Sequence, residues 1–312
     1  ICAIIVGLIV VHIPGLGKEI KGSNRWIQLP GINLQTSEFI KIATIILMAW
    51  WQGMPWRKNA SIKEGLLIPG AGLGIVCIGL LLQPDFGSAI MLTIICCAIM
   101  LTAGVNLRVF VGLFVSALLI LVALVIHDPI RIKRVVPVFL LNMPQEVDSE
   151  LLSGPLYQVV SAISAFKHGS ITGQGLGNSI YKEHYIPEYH TDFILSMIGE
   201  ELGVCGTVAC VILITTILIC GLYISYKTEH FQYRLLALGM TLQISLYAIV
   251  NTGVVCGLFP TKGLAMPFLS YGGSNLLSSF MAFGFILAVG RYTIEHEFPD
   301  NTPQHSDTFW NM

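Results

Sequence analysis

Leu202–Tyr223 reads LGVCGTVACVILITTILICGLY, a run without one charged residue. As a helix rising about 1.5 Å per residue it extends roughly 33 Å, enough to cross the ~30 Å hydrocarbon layer of a bilayer. A soluble helix is apolar on one face; this one is apolar all round and belongs in lipid. Working outward, comparable runs recur at Ile1–Ile13, Ile40–Gly53, Gly65–Leu82, Ala89–Val105, Val109–Ile126, Leu235–Leu258 and Leu276–Tyr292. The prediction is an all-α integral membrane protein, a polytopic helical bundle of about eight spans. Composition agrees: 54% of residues are hydrophobic, 11% are charged, and mean hydropathy is +0.75. Such values exclude an ordinary soluble domain.

Basic and acidic residues nearly cancel, 17 against 18, so no overall charge points to nucleic acid or another polyanion. The eight cysteines lie almost entirely in apolar runs and form no C-x-x-C pair; they read as small membrane hydrophobes. Ile1–Ile13 lacks the basic start and small-residue cleavage site of a signal peptide. Opening on Ile, the chain is expected to begin partway through a span, with helices upstream. The second run reaches full length by including Thr36–Phe39, which places Glu38 and Lys41 in the membrane.

In the short connections Arg57, Lys58, Lys63, Arg108, Lys227, Arg234 and Arg291 fall on one side of the threading, against Lys18, Lys21, Arg25 and Lys262 on the other, where the long loop adds Arg131, Lys133 and Arg134 close to a span end. Counted over the short connections, the positive-inside rule makes the first side cytoplasmic by a modest bias. Pro14–Gln35, Gln83–Ser88, His127–Asp192 and Phe259–Asn275 are then extracytoplasmic. The domain organisation predicted is a membrane domain over 1–292, with a long outer loop at 127–192, and a disordered cytoplasmic tail over 293–312.

A membrane loop need only turn and anchor, and Trp50, Trp51 and Trp56 fit the interfacial aromatic belt. Four outer groups ask for more. Glu38 and Lys41, at i and i+3 on one helical face, predict an ion pair, and intramembrane charges usually face a partner or a cavity. Gln83–Ser88 is a tight turn in which Asp85, taken alone, reads as a cap on the next helix. The loop of about 65 residues is too long for a passive connector. Within it Leu156, Val159, Val160, Ile163 and Phe166 predict an amphipathic helix lying on the membrane surface. It ends at Asp192, where the sequence turns apolar. His184, His190 and Asp192 match no strong metal-binding spacing. Fourth, Phe259–Gly263 and Ser270–Ser274 make a Pro- and Gly-broken entry to the last span, tolerated only where protein or a cavity satisfies the backbone.

The motifs GSNRWI (Gly22–Ile27), SEFIK (Ser37–Lys41), QPDFGS (Gln83–Ser88), GLGNS (Gly175–Ser179), PEYHTDF (Pro187–Phe193), GEELG (Gly199–Gly203) and PTKGLAMPFLSYGGS (Pro260–Ser274) run in order along nearly the whole chain. In this the sequence resembles the FtsW/RodA/SpoVE family, the SEDS proteins of bacterial cell-wall synthesis. GLGNS with PTKG is closer to the FtsW division branch than to RodA. Asn275 and Lys167–Ser170 depart from the usual pattern and bear on local loop conformation. The resemblance implies a ten-helix fold of which two N-terminal spans are missing here. It implies a peptidoglycan glycosyltransferase that polymerises lipid II, an undecaprenyl-pyrophosphate-linked disaccharide-pentapeptide, on the outer face of the cytoplasmic membrane at the division septum. Its partners would be a class B penicillin-binding transpeptidase and other division proteins. Carried over by motif, Asp192 is the essential aspartate and Trp26 the tryptophan of the RWI segment. Arg25, Glu38, Lys41, Asp85 and Lys262 match polar positions of the central, substrate-binding cavity.

The chemistry suits these residue types. Displacing a lipid pyrophosphate with a sugar hydroxyl calls for a carboxylate to take the proton and for cations on the leaving group. Asp192 can serve as base; Arg25, Lys41 and Lys262 are the available cations, with Arg131 and Arg134 in reserve, and a divalent cation can share that work. A transporter or lipid II flippase shares the many spans and the broken helix, but its polar groups should lie near the midplane, not cluster outside. A non-catalytic scaffold for a transpeptidase would need neither Asp192 nor Lys41.

Overall fold

The computed structural model describes residues 17–20, 23–29, 32–55, 62–108, 110–112, 155–184, 189–260 and 263–297, with Gly7, Val115, Leu119 and Val122 placed singly. In chain order the elements are β1 (Gly17–Ile20), β2 (Ser23–Leu29), β3 (Ile32–Gln35), α1 (Thr36–Gln52), a π-helical turn at Lys63–Leu67 running into α2 (Ile68–Leu82), α3 (Phe86–Thr102), α4 (Pro155–Gly169), α5 (Tyr181–His184), α6 (Ile194–Lys227), α7 (Phe231–Val255) and α8 (Gly273–Glu297). Lys63–Leu82, α6, α7 and Gly273–His296 are long and apolar enough to span a membrane, and α3 is apolar but shorter. With α1, six of the expected spans correspond to described helices. Ile1–Ile13 and Val109–Ile126 lie mostly outside the described residues, as do Arg57, Lys58, Arg131, Lys133, Arg134 and the tail from 298. The chain is an all-α polytopic membrane bundle.

Several boundaries and one loop differ from expectation. α6 starts at Ile194 and not Leu202, and α8 continues through Tyr292 to Glu297, whereas α1 starts at Thr36, as the extension of the second run requires. Pro14–Gln35, read as plain loop, carries a three-stranded antiparallel meander in which Trp26 pairs with Lys18 on one side and Gln35 on the other. The strands are too short for the hydrophobic alternation of a buried sheet to stand out.

α7 is the axis of the bundle: 61% of its apolar window is buried, against 6% for α6. Lipid tails supply no hydrophobic drive between helices, so close approach rests on small residues. At Gly239 of α7 an added Cβ would come within 2.6 Å of Ile45 on α1 and 2.8 Å of Ile99 on α3, and at Gly221 of α6 it would run into Thr241 of α7. Around these crossings Ile42, Ile45, Leu80, Leu92, Ile95, Ile99, Leu235, Met240 and Ile244 are fully buried. Ile212, Leu213, Ile219 and Leu222 on α6 remain exposed, as lipid-facing side chains do.

α4 does not lie alone on the membrane surface. Its apolar stripe, Val159, Ala162 and Ala165, is buried against Phe193 and Met197 of the α6 entry and Val254 and Val255 of α7. The periodicity was legible, but a surface helix and a packed one have the same stripe.

α6 is broken at Gly203, where φ is +68°. The break orphans backbone groups that lipid cannot satisfy, and the loop after α4 supplies their partners. The Gln174 and Gly175 N–H groups donate to the Glu200 and Glu201 carbonyls at 2.9 and 3.0 Å, and the Val204 and Cys205 N–H groups donate to the Ser170 and Ile171 carbonyls at 3.1 and 3.4 Å. Gly173 (φ +78°) and Gly203 press against backbone on either side, with no room for a Cβ. Buried Glu200 holds the same loop by its side chain, accepting from His168 Nδ1 at 2.8 Å, from the Ile180 N–H at 3.1 Å and from Ser179 Oγ.

At the end of the bundle away from Asp192, Lys63, Lys227, Arg234 and Arg291 collect at the helix termini, as the charge sorting expected. Thr228 and Thr293 hydroxyls meet at 2.8 Å, Arg234 Nε donates to the Thr228 carbonyl at 2.9 Å, and Gln232 Nε2 donates to the Trp50 carbonyl at 3.4 Å. His230 stacks on Tyr233 and His296 on Tyr292, and the two tyrosine rings meet edge to face between α7 and α8.

Candidate functional site

The site is built where α1, α7, α8 and the α2–α3 turn meet. Lys41 Nζ lies 2.7 Å from Glu38 Oε1, and the side chains are 1% and 9% exposed. Glu38 Oε2 accepts from Ser278 Oγ of α8 at 2.7 Å. The Lys41 ammonium stands 4.1 Å from the centroid of the Tyr247 ring on α7. The i, i+3 pair expected from the sequence is therefore formed, and it binds three helices together. It is also fully engaged: in this geometry the charge of Lys41 is met by a carboxylate and a ring and does not face water.

Asp85 is buried, caps α3 through a 3.1 Å bond from the Ser88 N–H to Oδ1, and adds to the electrostatic field at Lys41. The turn it belongs to touches the broken entry to α8: a Cβ at Gly87 would lie 2.8 Å from Leu264. The β-meander reaches the same segment, since the Gln35 N–H donates to Ser274 Oγ at 2.8 Å. Trp26 is half-buried on β2 beside Gln35; the side chain of Arg25 and all of Lys262 lie outside the described residues.

Asp192 is half-buried at the entry to α6, and three successive peptide carbonyls there are gripped by one partner surface. The His190 carbonyl accepts from the Tyr271 N–H at 2.8 Å, the Thr191 carbonyl from Ser270 Oγ at 2.5 Å, and the Asp192 carbonyl from Asn251 Nδ2 at 2.8 Å. The Phe193 carbonyl takes both the N–H and the hydroxyl of Ser196. Gly263 stands against the carboxylate, a Cβ there falling 3.3 Å from Asp192 Oδ2. Backbone carbonyls so pinned leave the Asp192 side chain little freedom beyond its own rotamer.

Three of the four outer groups of the sequence thus converge on the fourth, the segment 263–278, which touches both Asp192 and Glu38. Arranged this way, the site offers a fixed carboxylate at the mouth of the bundle and a buried charge pair beneath. Among the described residues no three His, Cys, Asp or Glu side chains gather as metal ligands. Sequence reasoning missed Asn251, Ser270, Ser278 and Tyr247. A polar residue inside an apolar span is the signal that would have found Asn251; Ser270 and Ser278 are too ordinary to stand out.

The family model described as "Cell cycle protein", FtsW/RodA/SpoVE, matches residues 1–295. The probable peptidoglycan glycosyltransferase FtsW of Trichlorobacter lovleyi is 41% identical over 283 residues, covering 90% of this chain and 72% of that protein. The Coxiella burnetii protein of the same description is 39% identical, covering 92% and 76%. Among solved structures, a chain from a peptidoglycan synthase complex, described for its coordination of polymerization and crosslinking, superposes with TM-score 0.70 at 23% identity, over 94% of this chain and 80% of that one. The rod shape determining protein RodA of Thermus thermophilus gives TM-score 0.63 at 23% identity, over 93% and 75%.

Proposed function

Because this chain belongs to the FtsW/RodA/SpoVE family, we propose that it is a peptidoglycan glycosyltransferase of the FtsW division branch, polymerising lipid II at the outer face of the cytoplasmic membrane. The observation that carries the reading is the carboxylate of Asp192, half-buried and mounted on three pinned carbonyls at the end of the bundle opposite the basic helix termini.

In the proposed reaction the Asp192 carboxylate takes the proton of the acceptor sugar hydroxyl. That oxygen attacks the anomeric carbon of the lipid-linked donor; the bond from this carbon to the pyrophosphate oxygen breaks, and the lipid pyrophosphate leaves with the electron pair. General-base assistance of this kind contributes about 10²–10⁴ in rate. Arg25 and Lys262 are the cations assigned to the departing pyrophosphate, and Trp26 and Asp85 to the substrate-binding wall. Glu38 and Lys41 form the floor of the cavity, holding α1 against α7 and α8.

The proposed setting is the division septum, with a class B penicillin-binding transpeptidase as partner, the membrane domain over 1–292 and a cytoplasmic tail over 293–312. The deciding experiment incubates the purified protein and its transpeptidase with labelled lipid II. Glycan ladders are expected; label that crosses vesicle leaflets without ladders would establish the flippase instead.

A further inference from the structure

A single amide joins the Asp192 peptide to the broken entry of α8. Asn251, near the end of α7, is 1% exposed. Its one NH2 group has two hydrogens, and the two go to two carbonyls: Asp192 at 2.8 Å and Leu264 at 2.8 Å. The amide orientation is fixed by chemistry, because both neighbours are acceptors and turning the amide would set oxygen against oxygen. Its Oδ1 is buried and has no partner among the described residues. The amide thus commits both donors to two separate chain segments, and a planar group bonded on both sides fixes the distance between them.

Ser270 repeats the arrangement one residue away. Its Oγ accepts from the Met266 N–H at 2.6 Å and donates to the Thr191 carbonyl at 2.5 Å. Two side chains therefore couple two adjacent carbonyls, 191 and 192, to the same short segment, 264–266. That segment also borders the α2–α3 turn through Leu264 and is steadied by Asn275 Nδ2 on the Met266 carbonyl at 3.1 Å.

We propose that Asn251 is a positioning residue for the Asp192 carboxylate, with Ser270 as its second arm. The proposal rests on the reading of Asp192 as the general base. It means that the entry to α8 and the base move as one unit, and that the geometry of the base depends on a residue in a different span.

The test measures polymerisation of labelled lipid II by the protein with its transpeptidase, each rate normalised to the folded fraction from thermal melting in detergent. Asn251→Leu keeps roughly the volume and removes both donors. Its kcat is expected to fall about 10- to 100-fold, the scale of a misplacement of about 1 Å, with KM within about twofold. In an Asp192→Asn background the same substitution should add nothing, since there is no base left to position. A purely structural role would lower the rate by the same factor in both backgrounds. Unchanged kcat in folded Asn251→Leu, or equal losses in both backgrounds, overturns the proposal. Should Asn251→Leu fail to fold, Ser270→Ala, which removes one arm only, must show the same kcat loss and the same non-additivity or the proposal falls. If Asp192→Asn polymerises normally, the reading of Asp192 fails and takes this one with it; if Asp192→Asn is inactive and both clamp variants are normal, only the clamp is refuted.

Discussion

The two ends of the bundle are held by different means. At the Asp192 end, buried polar residues from separate segments grip backbone carbonyls and one another: Asn251, Ser270, Ser278, Glu38 and Lys41 are all buried. At the basic end the charged pair stands in the open, Arg291 and Glu295 one turn apart on α8 with side chains 81% and 43% exposed at 2.6 Å, beside a buried hydroxyl pair, Thr228 and Thr293, that ties the end of α6 to α8. A buried polar contact in a dry interior is costly if broken, and a solvated one is nearly free to exchange. The first end is built for fixed geometry. The second carries Lys63, Lys227, Arg234 and Arg291 at helix termini, where a solvated charge needs no fixed geometry.

Substitutions can break or sharpen that contrast. The largest effect is expected at Asp192→Asn, which keeps the size and shape of the side chain and removes the base. Polymerisation should fall by about 10²–10⁴ with expression and partner binding intact; near-normal ladders would mean that Asp192 is not the base. Next comes Lys41→Met, which strands the Glu38 carboxylate in a dry interior at about 3–5 kcal/mol, read as a lower melting temperature in detergent. The double variant Glu38→Gln, Lys41→Met should recover most of that stability. If the double variant also polymerises at the wild-type rate, the pair serves the fold alone. A smaller loss is expected at Gly173→Ala, where the left-handed backbone alone costs about 1–2 kcal/mol and the Glu201 carbonyl leaves no space; limited proteolysis should show the loop after α4 cut faster. At the basic end Arg291→Ala should leave melting temperature and polymerisation unchanged. A clear loss there would mean that the two ends are not as different as their burial makes them.

What the sequence disclosed follows the same division. Spans were legible because lipid demands continuous apolar length, and that demand is local. The Glu38–Lys41 pair was legible because it sits within one helical turn. Asn251 with Asp192, and Ser278 with Glu38, were not, since those partners are far apart in the chain and only the folded arrangement brings them together. Asp192 lay between these cases: its place at the mouth of a span was readable, while its three pinned carbonyls required segment 270–271 to be folded against it. The meander at 17–35 and the packed state of α4 were missed for a related reason, that their local patterns admit more than one environment.

The break at Gly203 has a bearing on how the protein meets bilayers of different thickness. Unbroken, α6 would be about 51 Å long, far more than the hydrocarbon it has to cross. Residues 204–227 alone make about 36 Å and can tilt to suit a thinner or thicker membrane. Residues 194–202 are tied to α4 through Glu200 and to the loop that fills the break. The same loop bonds the 200 and 201 carbonyls before the joint and the 204 and 205 amides after it, so the bend is held at one place in the helix and the segment that leads to Asp192 is fixed on the bundle side of it.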